Sequence, residues 1–280
     1  MPALMTVAEL AAALTTPHPP IVLDTRWQLA GPPGIETYRA GHIPGAHYVD
    51  LDGDLAGPPG SAGRHPLPDA DQFGAAMRHR GVSAHRTVIA YDDGDGVPAA
   101  RLWWLLRWCG HPDVRMLDGG YRAWTAAGHP TTTVEPSPEP GDFHPTPGAM
   151  PIIDASTAAA LPQTGVLLDV RTNDRYRGDH EPIDPVAGHI PGAVNAPGNQ
   201  TLTADGTLRP PHELAAYYAD LGITEGTEVA AYCGSGVTAA REVLALEVAG
   251  IRAALYPGSW SEWIADPSRP IACSSPDVSS

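Results

Sequence analysis

The chain has 280 residues, of which 42% are apolar, and its mean hydropathy of −0.17 is typical of a folded protein of about two domains. It carries 32 acidic and 17 basic residues, all the basic ones arginine, and its net charge of −15 argues against nucleic acid and anionic membranes as partners. Because it lacks a ~20-residue apolar run and a signal-like N-terminus, the chain is expected to be cytoplasmic.

Predicted helices and strands alternate along the chain, in the same order in each half. In the first half, apolar runs, capping residues and glycine stops predict a helix capped by Thr6, a strand at 21–24, a helix at 72–80, a strand at 87–91 and a helix at 99–108. In the second half they predict a helix capped by Asp154, a strand at 166–169, a helix at 213–220, a strand at 228–232 and a helix at 238–248. This alternation favours a mainly parallel sheet with helices on both faces in each half.

Repeated segments indicate that one domain has been duplicated. Gly-His-Ile-Pro-Gly-Ala occurs at 41–46 and again at 188–193, and Gly-Val-Pro-Ala-Ala-Arg at 96–101 recurs with one change at 236–241. Residues 129–150, between the copies, are rich in proline and threonine, as in a stiff linker. We therefore predict one domain at residues 1–128 and a second at residues 151–280, joined by this linker.

The chemistry is expected at Cys233. Ligands of parallel sheets bind at the carboxyl ends of the strands, and Cys233 directly follows the predicted central strand of the second half. Gly234, Ser235 and Gly236 come next, and a helix follows them. The glycines allow successive backbone N–H groups to converge and the helix N-terminus adds partial positive charge, so the loop favours a thiolate. Cys233 is therefore predicted to be a nucleophile.

Neither the first half nor the other cysteines offer a second site of this kind. Asp92 stands in the first half where Cys233 stands in the second, and a carboxylate there would repel an anion. Cys109 ends an apolar helix, and Cys273 lies in a polar tail. Because the three cysteines are far apart and lack metal-ligand spacing, we predict no disulfide framework, no metal site and no cofactor.

The tandem halves, their Gly-His-Ile-Pro-Gly-Ala segments and the Cys-Gly-Ser-Gly-Val-Thr loop at 233–238 resemble the two-domain sulfurtransferases of the rhodanese family. The resemblance covers residues 6–267, and the loop is most similar to that of the 3-mercaptopyruvate sulfurtransferases. It implies an α/β fold of two tandem rhodanese-like domains, of which the first is a non-catalytic copy and the second carries Cys233.

The resemblance also implies a reaction. Cys233 would take a sulfur atom from a small-molecule donor, become a persulfide, and pass the sulfur to a thiol or to cyanide. With 3-mercaptopyruvate as the donor, pyruvate would be released. The family suggests a thioredoxin-like protein as one acceptor.

Further site residues follow from the same resemblance. Ser235 corresponds to a loop serine that moves a proton, and His65 and Asp52, from the first domain, correspond to its partners in a Ser-His-Asp relay. Arg175 corresponds to the arginine that binds the donor carboxylate. Arg171 is a second candidate pocket residue, although a structural pair with an aspartate would explain it equally well.

Backbone groups of the loop complete the predicted donor site. Their N–H groups are expected to stabilise the charge on the attacking and the transferred sulfur. The residues concerned are Gly234, Gly236, Val237 and Thr238.

Two observations bear on the donor, and they point in different directions. Thiosulfate-type rhodaneses carry arginine and lysine directly after the cysteine, where this chain has Gly234 and Ser235. A dianion is best met by cations near the sulfur, so the loop favours the monoanionic 3-mercaptopyruvate. However, the family's second carboxylate-binding arginine, in a Glu-Pro-Arg segment, is replaced by Ile183, with Arg177 as a nearby substitute. Thiosulfate therefore stays open as the alternative donor.

Two other classes of protein share parts of this pattern. Cysteine phosphatases and arsenate reductases need an arginine six positions after the cysteine, where this chain has Ala239 and the nearest arginine is Arg241. Non-catalytic rhodanese-like binding modules lack the reactive thiol that the loop here retains. A slow, unreactive Cys233 in thiol titration would favour the binding module over the enzyme.

Overall fold

The computed structural model describes residues 2–137 and 139–273, and the contacts between residues divide the chain into two compact units. The first unit comprises Met1–Gly57, Leu67–Met150 and Thr203–Leu208, and the second comprises Pro58–Pro66, Pro151–Leu202 and Arg209–Ser280. In the part of the chain that the structure describes, no helix is both long and apolar enough to cross a bilayer.

Each unit is built on a parallel sheet. The strands of the first unit are β1 (Leu4–Met5), β2 (Ile21–Asp24), β3 (His47–Tyr48), β4 (Val88–Tyr91) and β5 (Val114–Leu117), in the order β1-β5-β4-β2-β3. The strands of the second unit are β6 (Val166–Asp169), β7 (Val194–Asn195), β8 (Val229–Tyr232) and β9 (Ala254–Leu255), in the order β7-β6-β8-β9. All of these strand pairs are parallel. The orders β3-β2-β4-β5 and β7-β6-β8-β9 correspond, so the duplication extends to the topology.

Helices connect the strands in both units. Those of the first unit are α1 (Val7–Ala13), α2 (Gly34–Ala40), α3 (Leu51–Asp54), α4 (Ala70–His79), α5 (Val97–Trp108) and α6 (Gly120–Ala126). Those of the second unit are α7 (Ala155–Ala160), α8 (Asn173–Arg177), α9 (Pro211–Asp220), α10 (Val237–Val248) and α11 (Ser259–Trp263), with 3₁₀ turns at Leu161–Gln163 and Gly198–Thr201.

The central strands lie in the core of their units. Every residue of β4 and of β8 is buried. Continuous apolar strands of this kind are typical of parallel sheets that are covered on both faces. The α/β fold expected from the alternating pattern is confirmed.

Most element boundaries agree with the sequence, and the small differences have a local cause. Thr6 and Asp154 accept the N–H groups of Glu9 and Thr157, as predicted for helix caps. Helices α5 and α10 begin slightly before their predicted starts, at Val97 and Val237. Gly96 and Gly236, which precede these helices, have left-handed backbone conformations with φ of 74° and 79°. With this conformation at the N-cap, the helix begins at the next residue.

The two units differ from the predicted domain boundaries. Residues 129–150, predicted as a linker, group with the first unit. There, Thr132 and His42 exchange two backbone hydrogen bonds of 2.9 Å, so this proline-rich segment is attached to the unit instead of spanning free space. In addition, residues 58–66 group with the second unit and residues 203–208 with the first.

Candidate active site

Cys233 lies at the carboxyl end of β8, in the Cys233 loop (residues 233–238), which leads into α10. The cysteine is 3% exposed, and its Sγ accepts the N–H of Gly236 at 3.1 Å. Gly236 has a φ of 79°, and a Cβ there would lie 2.2 Å from the carbonyl oxygen of Pro257. Because only glycine fits, this position can direct its N–H back at the sulfur.

A neighbouring turn, residues 256–261, is hydrogen-bonded to the backbone of the Cys233 loop. The N–H of Cys233 donates to Ser259 Oγ at 3.1 Å. The N–H groups of Trp260 and Ser261 donate to the carbonyls of Cys233 and Gly234 at 3.0 and 2.9 Å. These contacts fix the loop before any donor arrives, which is what electrostatic stabilisation of a reacting group requires.

Ser235 is hydrogen-bonded to a histidine from a distant part of the sequence. The Nδ1 of His65 lies 2.7 Å from Ser235 Oγ, and Ser235 is 8% exposed. When Nδ1 carries no proton it accepts the serine hydroxyl, so the imidazole is placed to take up a proton from Ser235. The structure thus brings together His65 and Ser235, both within the second unit.

Asp52, the third predicted relay residue, belongs to the first unit, where it lies on α3. Its side chain is exposed, and its Oδ2 accepts the indole N–H of Trp27 at 3.0 Å. A carboxylate orients an imidazole by hydrogen-bonding to one of its ring nitrogens. The assignment of this role to Asp52 stays a prediction.

Arg175, on α8, is held by two carboxylates. Its Nε donates to Glu181 Oε2 at 2.8 Å, and its Nη2 donates to Asp184 Oδ2 at 2.9 Å. Burial alone would raise the pKa of Glu181, but hydrogen bonds from Arg175 and from the N–H groups of Asp184 and Ile183 outweigh it and hold this pKa below its ordinary value. Glu181 therefore stays ionised at neutral pH and fixes the orientation of the guanidinium.

A cavity of about 290 Å³ opens at the Cys233 loop. Its lining includes Val170, Arg171, Thr172, Arg175, Pro197, Gly198, Asn199, Cys233, Gly234, Thr238 and Arg241. Three arginines and a buried thiol border one small space, which suits an anionic donor of few heavy atoms. The sequence predictions did not include Arg241, on α10, or residues 197–199 as site residues, and residues 197–199 come together with Cys233 only in the fold.

Arg64 also lies beside the Cys233 loop, and the sequence predictions missed it. Its Nη1 donates to Asp184, the carboxylate that also binds Arg175. A Cβ on Gly234 would lie 2.8 Å from Arg64 Nη2 and 3.4 Å from Arg175 Nη2. Gly234 and Ser235 themselves carry no charge, and the cations beside this loop are supplied by residues from other segments of the chain. The position of Arg64 directly before His65 was its only sequence signal.

Arg177 does not take the place of the arginine missing after Pro182. It pairs with Asp179 at 3.1 Å, its side chain is 49% exposed, and it does not line the cavity. Residues two positions apart on a helix point about 200° apart, so α8 cannot direct both Arg175 and Arg177 to the loop.

Arg171 lines the cavity, but its guanidinium is engaged in the fold. Its Nη2 donates to Asp169 Oδ2 and to the carbonyl of Gly188, both at 2.6 Å. Arg26 forms the same pair with Asp24 in the first unit, where no cysteine occupies the matching loop. Since the network forms without a thiol site, we interpret Arg171 mainly as a structural residue, and its role in donor binding stays a prediction.

In the first unit, a carboxylate occupies the loop that matches the Cys233 loop. Asp92 is 2% exposed and accepts the N–H groups of Gly94, Gly96 and Ala99 at 2.8, 3.1 and 3.2 Å. Burial, together with the nearby Asp95, raises the pKa of Asp92 to about 6. The loop N–H groups are thus used by the chain itself. A larger cavity of this unit, about 610 Å³, has no cysteine in its lining.

Known proteins resemble this chain over nearly its whole length. A protein of Pseudomonas aeruginosa named "Probable 3-mercaptopyruvate sulfurtransferase" is 49% identical over 277 residues, which cover 96% of this chain and 97% of that protein. A protein of Mycobacterium tuberculosis named "Putative thiosulfate sulfurtransferase SseB" is 44% identical over 274 residues, 96% of each chain. The crystal structure of SseA from Escherichia coli, described with the "Rhodanese" fold and 3-mercaptopyruvate sulfotransferases, matches with a TM-score of 0.81 at 29% identity over 93% of this chain and 100% of that one.

The family model for the rhodanese-like domain matches residues 6–127 and 154–266. The two matches correspond to the two copies that the repeated segments predict: the first contains strands β2 to β5 and the second contains strands β6 to β9. The chain therefore belongs to the rhodanese family, among its two-domain sulfurtransferases.

Proposed function

We propose that this chain is a 3-mercaptopyruvate sulfurtransferase in which Cys233 receives the donor sulfur as a persulfide and pyruvate is released. The observation that carries the proposal is the placement of Cys233 in the cavity that Arg175 also lines, with Sγ accepting the N–H of Gly236 at 3.1 Å. A thiolate is stabilised by such an N–H, and a donor carboxylate is bound by such a guanidinium.

The first step moves one sulfur atom onto the enzyme. The Cys233 thiolate attacks the sulfur of 3-mercaptopyruvate, so that a new S–S bond forms and the donor C–S bond breaks. The electron pair of the broken bond passes to the carbon next to the carbonyl and gives the enolate of pyruvate, which takes up a proton. The N–H groups of Gly234, Gly236, Val237 and Thr238 stabilise the charge on the two sulfur atoms.

Ser235 and His65 supply the route for the proton. The donor thiol loses a proton during the transfer, and the enolate gains one. The Ser235 hydroxyl is two residues from Cys233 and 2.7 Å from His65 Nδ1, so the imidazole can take up this proton and return it. In this proposal Asp52 orients the imidazole.

A thiol then removes the sulfur from the Cys233 persulfide, and a thioredoxin-like protein is the proposed acceptor in the cell. The copy at residues 1–128 is non-catalytic, and the domain at 151–280 carries the reaction, which is consistent with the carboxylate of Asp92 in the first loop. A cytoplasmic location is consistent with the free thiols of Cys109, Cys233 and Cys273, since reducing compartments preserve them.

A second candidate function, transfer of sulfur from thiosulfate, is favoured by one observation. The guanidinium groups of Arg64 and Arg175 both approach Gly234, so cations lie close to the sulfur where a dianion would use them. However, thiosulfate has no thiol proton to lose, and the Ser235–His65 pair would then have no task. This difference makes 3-mercaptopyruvate the preferred donor in our proposal.

The test compares kcat/KM for 3-mercaptopyruvate and for thiosulfate with one common thiol acceptor at one pH. We expect the larger value for 3-mercaptopyruvate in the wild-type enzyme. Cys233→Ser serves as the inactive control for both donors. A larger kcat/KM for thiosulfate would replace the proposed function with the second candidate, and no Cys233-dependent turnover of either would indicate a binding module.

A further inference from the structure

Arg64 reaches the Cys233 loop from a backbone that is fixed against the turn at 256–261. Gly63 has a φ of 104°, and a Cβ there would lie 2.8 Å from a carbonyl oxygen and 2.9 Å from a hydroxyl of that turn. The N–H of Arg64 donates to Ser261 Oγ at 3.0 Å. The next residue, His65, is hydrogen-bonded to the loop itself. The start of the Arg64 side chain therefore has a defined position beside the loop.

One buried carboxylate holds two guanidinium groups side by side. Asp184, with a side chain 2% exposed, accepts from Arg64 Nη1 through Oδ1 and from Arg175 Nη2 through Oδ2. Arg64 Nη2 would lie 2.8 Å, and Arg175 Nη1 3.8 Å, from a Cβ on Gly234, the residue that follows Cys233. Asp184 thus binds Arg64 Nη1 and Arg175 Nη2. The other two nitrogens, Arg64 Nη2 and Arg175 Nη1, lie beside the loop.

As far as the structure describes the chain, the fold leaves these two nitrogens without a protein acceptor. Within residues 2–137 and 139–273, neither Arg64 Nη2 nor Arg175 Nη1 donates a hydrogen bond to the protein. The Arg64 side chain is 32% exposed and the Arg175 side chain 12% exposed, so both are reached from outside. Arg171 is different, because its side chain is 1% exposed and its guanidinium is directed at carboxylates and a carbonyl of the chain.

The Arg64 guanidinium lies against the open side of Gly234. A Cβ at this position would lie 2.8 Å from Arg64 Nη2, so the end of the Arg64 side chain would have to shift to make room for it. Arg64, from the 58–66 segment, therefore places its guanidinium beside the residue that follows Cys233. It lies close to where a side chain of residue 234 would begin.

We propose that Arg64 is a donor-binding residue, and that its Nη2 together with Arg175 Nη1 binds the carboxylate of the sulfur donor. Arg64 would thereby replace the family's second carboxylate-binding arginine, whose position is occupied here by Ile183. A carboxylate accepts two N–H groups from two guanidinium groups with the geometry of a charge-assisted pair. The inference rests on the proposed function and deepens it, since it makes the enzyme selective for 2-oxo acids with a free carboxylate over their neutral analogues.

The experiment measures kcat/KM for 3-mercaptopyruvate and for its methyl ester, which keeps the thiol and the ketone but lacks the charge. Arg64→Gln removes the guanidinium charge and retains an amide that can donate to Asp184, and Arg64→Lys retains the charge without the second nitrogen. Arg177→Gln is the matched control, because Arg177 is an exposed arginine of the same unit that pairs only with Asp179 in the described part of the chain. Thermal unfolding of each variant checks that it is folded.

We expect Arg64→Gln to lower kcat/KM for the acid about 10- to 100-fold, the effect of losing a charge-assisted hydrogen bond, while the ester is little affected. Arg64→Lys should fall between Arg64→Gln and the wild type, and Arg177→Gln should match the wild type. Equal losses for acid and ester in Arg64→Gln, or no loss, would overturn the role of Arg64 while leaving the proposed function intact. A wild-type enzyme that ignores 3-mercaptopyruvate and uses thiosulfate would instead refute the proposed function and the carboxylate assignment together.

Discussion

His65 and Ser235 are 170 residues apart in the chain, yet His65 Nδ1 and Ser235 Oγ lie 2.7 Å from each other. The rigid Cys233 loop holds the serine, and the 58–66 segment holds the histidine through the hydrogen bond from Arg64 N–H to Ser261 Oγ. A hydroxyl beside the nucleophile and an imidazole form a proton path only when both are fixed. This pair is the feature that separates the two candidate donors.

Ser235→Ala and His65→Ala should each lower kcat/KM for 3-mercaptopyruvate about 100-fold, because each removes a step of general acid–base catalysis. Both variants should retain most of their activity with thiosulfate, which has no thiol proton to lose. Steady-state kinetics with each donor measures the difference. His85→Ala, which changes an exposed histidine of the first unit, is the control and should resemble the wild type. Equal losses with both donors would exclude a proton relay through Ser235.

Arg175→Ala should weaken the use of 3-mercaptopyruvate by about 2–3 kcal/mol in transition-state binding, the scale of a lost charge-assisted pair. Arg175→Lys should restore only part of this loss, because an ammonium cannot keep the contacts that Nε and Nη2 make to Glu181 and Asp184. The ratio of kcat/KM values gives the free-energy difference, and Arg177→Ala provides the exposed-arginine control. An unchanged kcat/KM in Arg175→Ala would mean that the residue only supports the fold.

Gly234→Ala should lower kcat/KM for both donors, because the added Cβ would stand 2.8 Å from Arg64 Nη2 and push the guanidinium aside. The fold should survive, since a guanidinium at the end of a flexible side chain can move. In an Arg64→Gln background the same change should cost less, because the shorter side chain leaves room. A double-mutant cycle measures this coupling, and strictly additive losses would show that the two residues do not interact.

Glu242 should make the stability of the protein depend on pH. It is buried in α10, Tyr218 donates to its Oε1 at 2.9 Å, and its Oε2 has no partner among the described residues. Burial raises the pKa of Glu242 to about 7 from the ordinary value of 4.5, although Arg241 and Tyr218 oppose the increase. The folded state therefore binds this proton more tightly than the unfolded state, and the stability it contributes below pH 4.5 is lost as the pH rises through 7.

Glu242→Gln stays neutral and should escape this loss. The difference in free energy of unfolding between the variant and the wild type should shift by about 3 kcal/mol in favour of the variant between pH 4.5 and pH 8. Denaturant unfolding at several pH values gives this difference, in which other titrating groups cancel. If the difference in free energy of unfolding between the two proteins does not change with pH, burial does not make ionisation of Glu242 unfavourable.

Local patterns were sufficient to predict the central strands and the loop that carries Cys233. The apolar runs of β4 and β8, each followed by a glycine turn and a helix, predict both the parallel sheet and the loop at Cys233. The pairing of His65 with Ser235 was expected only through the family resemblance, because no local pattern connects residues 170 positions apart. Chain topology brings them together, and periodicity along the sequence carries no information about it.

Arg64 and Arg177 show where sequence reasoning about the site fails. Arg177 was a candidate because it is close to Arg175 in sequence, but two positions on a helix place it on another side of α8. Arg64 is far from Cys233 in sequence. Its closeness to Gly234 is seen only when the 58–66 segment and the Cys233 loop are both placed in the fold. The charges beside a nucleophile therefore cannot be counted from its neighbours in sequence alone.

The most direct test of the account is mass spectrometry of the enzyme after treatment with 3-mercaptopyruvate in the absence of an acceptor. We predict one added sulfur atom on the peptide that contains Cys233, with one pyruvate released per enzyme. Cys109 should stay unmodified because burial raises the pKa of its thiol to about 12, so that it remains protonated. Cys109→Ser and Cys273→Ser should keep full activity and Cys233→Ser should have none. Sulfur on another cysteine, or turnover by Cys233→Ser, would contradict the account.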